Sequence, residues 1–333
     1  MVDTARRSEV PMIDVGALRQ AGPRDAVVRE LDRACRATGF FCVRGHGIDV
    51  ALADDLDREA RTFFAQPDDV KAEIEMARGG RAWRGWFPVG GELTSGQPDQ
   101  KEGVYFGEEL GPDDPRVRAG LPLHGANLFP ASVPGLRATV LGWMEAMTAL
   151  GHLLLRGIAL ALDLEEGWFE RDLTRDPTVL FRIFHYPPAT GEGWGVGEHT
   201  DYGLLTVLLQ DDRGGLQVRG TDGWIDVPTQ RGVLVCNIGD MLDRMTGGRY
   251  RSTPHRVRNV SGQDRLSFPL FFDPGWGTAV RPVPFADDAP LDDADSRWDR
   301  TSVHRWEGTY GDYLLSKVGR VFPDLGGAVL PNQ

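Results

Sequence analysis

The sequence predicts an α+β fold: a double-stranded β-helix (jelly-roll) barrel with flanking N-terminal helices and a C-terminal helix. Three observations carry this expectation. Apolar residues recur at helical spacing through most of the first half. The second half breaks into short apolar runs separated by Gly, Asp and Pro clusters, several of them alternating apolar with polar. The 333 residues are 41% hydrophobic and 26% charged, an ordinary balance for a chain with ample core. No repeat, linker or low-complexity tract divides them. We therefore read residues 1–333 as a single domain, with a mainly helical region at 1–170, a jelly-roll core at 171–283 and a C-terminal segment at 284–333.

The elements follow in order. "PMIDV" (11–15) reads as a first strand. Residues 23–39 are amphipathic, with Val27, Val28, Leu31, Ala34 and Cys35 on one stripe and Gly39 as the stop. "FFCVRGHG" is a buried strand closed by Gly45 and Gly47. Residues 48–65 and 67–76 read as two more helices, the second opened by Pro67-Asp68-Asp69. The region 79–111 is aromatic, glycine-rich and irregular, and a loop of that length inside a domain is usually functional. Residues 133–164 are the most apolar stretch. Arg137, Glu145, His152 and Arg156 interrupt it, and each is costly in hydrocarbon, so a long core helix is expected rather than a membrane span. "TVLFRIFHYP", "LLTVLLQ", "GLQVR", "GWIDVP", "GVLVCNIG", "HRVRNV" and "RLSFPLFFD" read as strands. Residues 285–300 are an acidic loop before a last helix at about 303–318.

Composition narrows the function. A formal net charge of −12 and a pI near 5.1, with no basic stripe, argue against nucleic acid and an anionic membrane as partners. Cys35, Cys42 and Cys236 lack CxxC spacing and give neither a disulfide framework nor a zinc site. The first residues lack the apolar segment of a signal peptide, so a cytoplasmic location is expected and the sequon at Asn259 reads as a polar turn.

The stretch "GVGEHTDYGLLTVLLQD" (195–211) sets His199 and Asp201 one apart at the mouth of an apolar strand. Of the seven histidines, His255 stands out because it begins the strand "HRVRNV" after a turn. Strands distant in sequence become neighbours in a barrel, so His255 can reach His199 and Asp201. Two neutral imidazoles and a carboxylate on one side of an ion leave its opposite positions open. Non-haem Fe(II) uses that arrangement, and so does catalytic zinc, so the donors alone do not choose the metal. Neither an HExxH helix nor a second metal cluster occurs to support a zinc hydrolase. Arg265 follows His255 by ten residues, and period 2 puts Ser267 on the same face of its strand. Facing inward, that guanidinium needs an anion, and a small diacid could chelate the metal at one end and dock on Arg265 at the other. The alternative is a surface pair of Arg265 with Asp264 or Asp273.

These residues resemble the 2-oxoglutarate and Fe(II)-dependent oxygenases of the isopenicillin N synthase-like family. The family pattern is H-x-D, roughly fifty residues, H, about ten residues, R-x-S. Here it reads His199-Thr200-Asp201, His255, then Arg265-Leu266-Ser267. "GGLQV", "NIGDML", "STPHRV", "ATGFFCVRGHGI" and "RGWFPVGGE" are similar as well, so the likeness runs from about residue 10 to 320. The resemblance implies that His199, Asp201 and His255 ligate Fe(II), and that Arg265 and Ser267 hold the distal carboxylate of 2-oxoglutarate. Tyr186 stands for the last tyrosine of the family's N-Y-Y-P segment. The chain departs there, with Phe184 for the asparagine and His185 for the first tyrosine. His185 should point to the opposite face, as a bystander.

The implied activity is oxidation of a small molecule by O2, coupled to decarboxylation of 2-oxoglutarate to succinate and CO2: hydroxylation, or desaturation or cyclisation. The substrate would be an organic acid, amino acid or secondary metabolite. Its expected contacts are Arg84, for a carboxylate, with Phe87, Lys101, Tyr105, Phe272 and Trp276. An Fe(II) oxidase of the same fold that does not use 2-oxoglutarate is the first alternative, and a non-catalytic ligand-binding protein the second.

Overall fold

Twelve strands form two sheets in the computed structural model, which describes residues 9–188, 193–284, 293–297 and 300–322. The major sheet holds β1 (Met12–Asp14), β2 (Phe40–Arg44), β3 (Gly85–Phe87), β4 (Glu102–Gly107), β5 (Thr178–Tyr186), β7 (Leu205–Gln210), β10 (Leu234–Ile238) and β12 (Arg265–Asp273). Their spatial order is β1-β2-β10-β7-β12-β5-β4-β3. The minor sheet comprises β6 (Val196–His199), β8 (Leu216–Arg219), β9 (Trp224–Asp226) and β11 (His255–Val257), in the order β6-β11-β8-β9. Among the described strands, β1 and β2 pair parallel and the other ladders are antiparallel. The chain passes from sheet to sheet, as in a jelly roll.

Eight α-helices are described: α1 (Asp25–Ala37), α2 (Val50–Phe64), α3 (Asp68–Lys71), α4 (Pro115–Arg118), α5 (Leu136–Ala161), α6 (Trp168–Asp172), α7 (Asp240–Met245) and α8 (Tyr310–Val321). Helix α5 is long and apolar enough to cross a membrane, yet it lies against α1, α2 and the back of the major sheet. Gly151 permits that contact, since a Cβ there would come within 2.7 Å of the Phe272 ring. Phe272 therefore faces α5 and His152, its ring 4.8 Å from the imidazole.

Alternation along β12 does the sorting. Leu266, Phe268, Leu270 and Phe272 share the helix side, whereas Arg265, Ser267, Pro269 and Phe271 face the barrel interior. On β5 the interior residues are Leu180, Arg182, Phe184 and Tyr186, and β4 adds Gly103 and Tyr105 opposite Phe184 and Arg182.

Four expectations change. The region 79–111 is not one loop: β3 and β4 pair within it and extend the major sheet, because the "GWF" and "EGVYFG" runs are wholly buried. The helix at 67–76 is the single turn α3, and its chain continues in 3-10 turns. The last helix starts at Tyr310 rather than 303, where Thr309 and Asp312 form a reciprocal capping box. Strand β6, which carries His199, is additional. Most of the acidic 285–300 loop lies outside the described residues.

Candidate active site

His199 ends β6 and His255 begins β11, and the two are direct cross-strand partners with ring centroids 4.2 Å apart. Asp201 sits two residues on, in the turn that leaves the minor sheet for β7. Its Oδ1 lies 3.9 Å from His199 Nε2 and 3.8 Å from His255 Nε2. One donor atom from each residue lies within 4.8 Å of the others, a spacing that suits a single ion.

Local hydrogen bonds prepare each donor. His199 Nδ1 is 2.7 Å from Gly197 O, and His255 Nδ1 is 3.3 Å from Thr253 O. A carbonyl can only accept, so both Nδ1 atoms carry the proton and both Nε2 lone pairs point into the cluster. Burial, with His199 alongside, pushes the His255 imidazole down to about 4, which keeps it in the neutral form a ligand requires. Asp201 Oδ2 accepts from Thr206 Oγ1 at 2.5 Å and Asn237 Nδ2 at 2.7 Å, leaving Oδ1 for the ion. Burial works to raise this carboxyl, but the two imidazoles and these two donors outweigh it and hold it below the ordinary aspartate value. The turn itself is pinned: Asp240 N–H donates to Asp201 O at 2.7 Å, and Leu204 N–H to Asp273 Oδ1 at 3.3 Å.

Across the interior, Arg265 pairs in register with Tyr186, its guanidinium carbon 4.6 Å from the centre of that ring. Tyr186 Oη and Ser267 Oγ are 3.3 Å apart. Arg265 is 1% exposed, and its Nε donates to Gly214 O at 2.5 Å. Both Nη atoms are buried with no hydrogen-bond partner among the described residues. The surface alternative fails, because Asp264 accepts from His185 and Asp273 from Tyr310 and Leu204. Two orphaned donors beside a hydroxyl and a phenol fit the distal carboxylate of 2-oxoglutarate, since leaving them unpaired costs about 1–3 kcal/mol each. His185 lies on the opposite face, bonded to Glu102 and Asp264 and stacked on Phe64.

The residues expected to touch substrate scatter. Arg84 is clamped by the carbonyls of Glu108, Gly125 and Leu123, so its fork is spent on backbone and holds no substrate carboxylate. Phe272 faces α5, and Trp276 packs on Gly311 and edge-on to His124. Lys101 points inward, but Glu92 and Asp99 both engage its ammonium. Phe87 and Tyr105 join Phe184 in an aromatic cluster, with Tyr105 Oη donating to Glu92 at 2.5 Å. An open cleft of roughly 780 Å³ leads to His199 between the 94–100 strap and Arg297. Sequence reasoning missed Thr206 and Asn237, because nothing local marks the partners of Asp201.

Fold and site together define a non-haem iron oxygenase, and comparison with known proteins agrees. The family model for the 2OG-Fe(II) oxygenase superfamily matches residues 177–274, and that for the N-terminal region of a non-haem dioxygenase in morphine synthesis matches 10–132. A probable iron/ascorbate oxidoreductase of Dictyostelium discoideum is 46% identical, with 97% of each chain covered. A 1-aminocyclopropane-1-carboxylate oxidase of Dictyostelium mucoroides is 36% identical over 95% of this chain and 96% of its own. A full-length Neurospora crassa protein, crystallised in complex with alpha-KG, shares the fold: it superposes with a TM-score of 0.78 at 24% identity, covering 94% and 97% of the two chains. The chain belongs to the 2-oxoglutarate and Fe(II)-dependent oxygenase superfamily. It is a dioxygenase that uses Fe(II), 2-oxoglutarate and O2 on a small-molecule substrate.

Proposed function

We propose that this protein hydroxylates a small organic substrate, with His199, Asp201 and His255 holding Fe(II) and Arg265, Ser267 and Tyr186 holding 2-oxoglutarate. The observation that carries the reading is the pair of orphaned Nη atoms of Arg265, buried on the sheet face that also presents Thr206 and Asn237 to Asp201. Fe(II), with its co-substrates bound, supplies the oxidising power for C–H hydroxylation while 2-oxoglutarate is decarboxylated to succinate.

The chain's own residues set the geometry. The carbonyls of Gly197 and Thr253 hold the Nδ1–H groups, so each ring turns its Nε2 toward the ion. Thr206 and Asn237 occupy one oxygen of Asp201 and leave the other as a single donor, so the ion keeps open positions. Arg265 and Ser267 orient the diacid from its far end, and the ring of Phe184, opposite Ser267 in the ladder, stands 4.8 Å from Lys101 Nζ.

The test is succinate formed per O2 consumed, with and without 2-oxoglutarate, across a panel of small acids and amino acids. Substrate-stimulated succinate at one per O2 supports the proposal, and O2 uptake without succinate would overturn it. That second outcome is the behaviour of an oxidase that dispenses with 2-oxoglutarate, a reading favoured by the oxidase relative at 36% identity.

A further inference from the structure

We infer that Arg297 is a positioning residue for the metal cluster, a buried guanidinium that ties together the two separate segments carrying the ligands. The inference rests on the ligand set proposed above. Arg297 comes from the C-terminal segment, distant from the ligands in sequence, and is 8% exposed at the wall of the cleft that leads to His199. Its Nη1 donates to Asp240 Oδ1 at 2.6 Å and to Thr200 Oγ1 at 3.4 Å. Its Nε donates to Asp293, and its Nη2 stands 3.6 Å from Asp243 Oδ2. Burial works against the charge, but Asp240, Asp293 and Asp243 outweigh it and hold the guanidinium protonated.

Two of these arms reach the first ligand segment. Thr200 lies between His199 and Asp201, and the Asp240 N–H donates to Asp201 O at 2.7 Å. Tyr313 Oη donates to the other oxygen of Asp240 at 2.7 Å, so that carboxylate is held between Arg297 and α8. A third arm reaches the second ligand segment. Asp243 Oδ2 accepts from the Ser252 N–H at 2.8 Å, and Ser252 precedes Thr253, whose carbonyl faces His255 Nδ1. Asp240 and Asp243 stand three apart on α7, hence on one side of it, where a planar fork can meet both. The ladder between the two segments is a weak ruler by itself: β6 and β11 pair at His199 and His255, then slip out of register before Val257. A brace from outside the ladder fixes what the pairing does not. Anchoring the C-terminal segment to itself would need only the Asp293 arm, four residues back; the arms to Thr200, Asp240 and Asp243 leave that segment for the site.

The test compares wild type, Arg297→Met and Arg297→Lys without turnover. Anaerobic equilibrium dialysis gives Fe(II) affinity, the visible bands of the Co(II)-loaded protein report donor geometry, and urea unfolding of the metal-free protein gives stability. Arg297→Met should weaken Fe(II) binding at least about tenfold and alter the Co(II) bands. Lysine keeps the charge without the fork, so Arg297→Lys should unfold nearer the wild-type urea midpoint yet still weaken Fe(II) and shift the bands. Wild-type affinity with unaltered Co(II) bands in Arg297→Met, or in Arg297→Lys should the methionine variant not fold, would overturn the inference and leave Arg297 as an anchor of its own segment. Failure of the ligand set looks different: the wild type itself would bind no Fe(II).

Discussion

At the scale of single residues, the site is a set of converging donors, each held by a neighbour that has one job. Arg265 is the plainest case: Gly214 fixes its Nε and Tyr186 supports its plane, so two N–H forks remain for an anion. Replacing it with alanine should raise the apparent KM for 2-oxoglutarate at least about tenfold through loss of a charge-assisted pair. An unchanged KM in steady-state succinate assays would mean that the co-substrate docks elsewhere. Thr206 and Asn237 act through Asp201. Asn237→Ala removes one of the two donors on its bound oxygen, and Fe(II) affinity, read by anaerobic titration, should fall about 10–100-fold. Equal affinity would show that the carboxylate orients itself. How much of this was legible divides cleanly. The H-x-D…H…R-x-S residues were, because their chemistry and spacing are unusual together. Phe272 was misplaced although alternation from Arg265 already assigned it to the helix side and gave Phe271 to the interior.

At the scale of elements, the strap from Glu92 to Lys101 shows what a one-dimensional reading loses. The sequence reading takes Lys101 alone from this segment, as a substrate contact. In the fold the charges of the strap form a buried cluster in which Lys101 sits between Glu92 and Asp99, Thr94 donates to Asp99 at 2.6 Å, and Tyr105 donates to Glu92. Lys101→Met would leave two buried carboxylates without their cation and should destabilise the protein by about 3–5 kcal/mol in urea unfolding. A loss below about 1 kcal/mol would return Lys101 to the substrate pocket as a dispensable contact. The β3–β4 pair was invisible for a related reason. Glycine and aromatic residues read as loop when taken locally, and only the partner strand β5 turns them into sheet. Helix α8 was displaced because the cap that starts it, Thr309 with Asp312, follows a stretch whose Val and Trp residues mimic a helical stripe.

At the scale of the whole molecule, two sheets from separate parts of the chain bring His199, Asp201 and His255 together, while α8 docks its first turn onto the same turn region. Tyr310 donates to Asp273 there, and Asp273 accepts from Leu204 beyond the metal aspartate. Burial raises the Asp273 carboxyl from 3.8 to about 7, so the folded state binds its proton where the unfolded chain has lost it. The sign follows. This group's contribution to stability is complete below pH about 4 and fades as the pH climbs toward 7. Urea unfolding of the metal-free protein at pH 5 and 7.5 should show that decline, and Asp273→Asn should flatten it. An identical slope in the variant would assign the decline to other groups. The fold class was readable from patterning alone, whereas the docking of α8 depends on contacts between residues far apart in sequence, such as Tyr310 with Asp273 and Tyr313 with Asp240.

Anaerobic equilibrium dialysis against Fe(II) puts the three-residue cluster to the most direct test, comparing wild type with His199→Ala, Asp201→Ala and His255→Ala. The account predicts one tightly held ion per chain in the wild type and a large loss of affinity in every variant. Retention of that ion by His255→Ala, or a wild type that binds none, would contradict it.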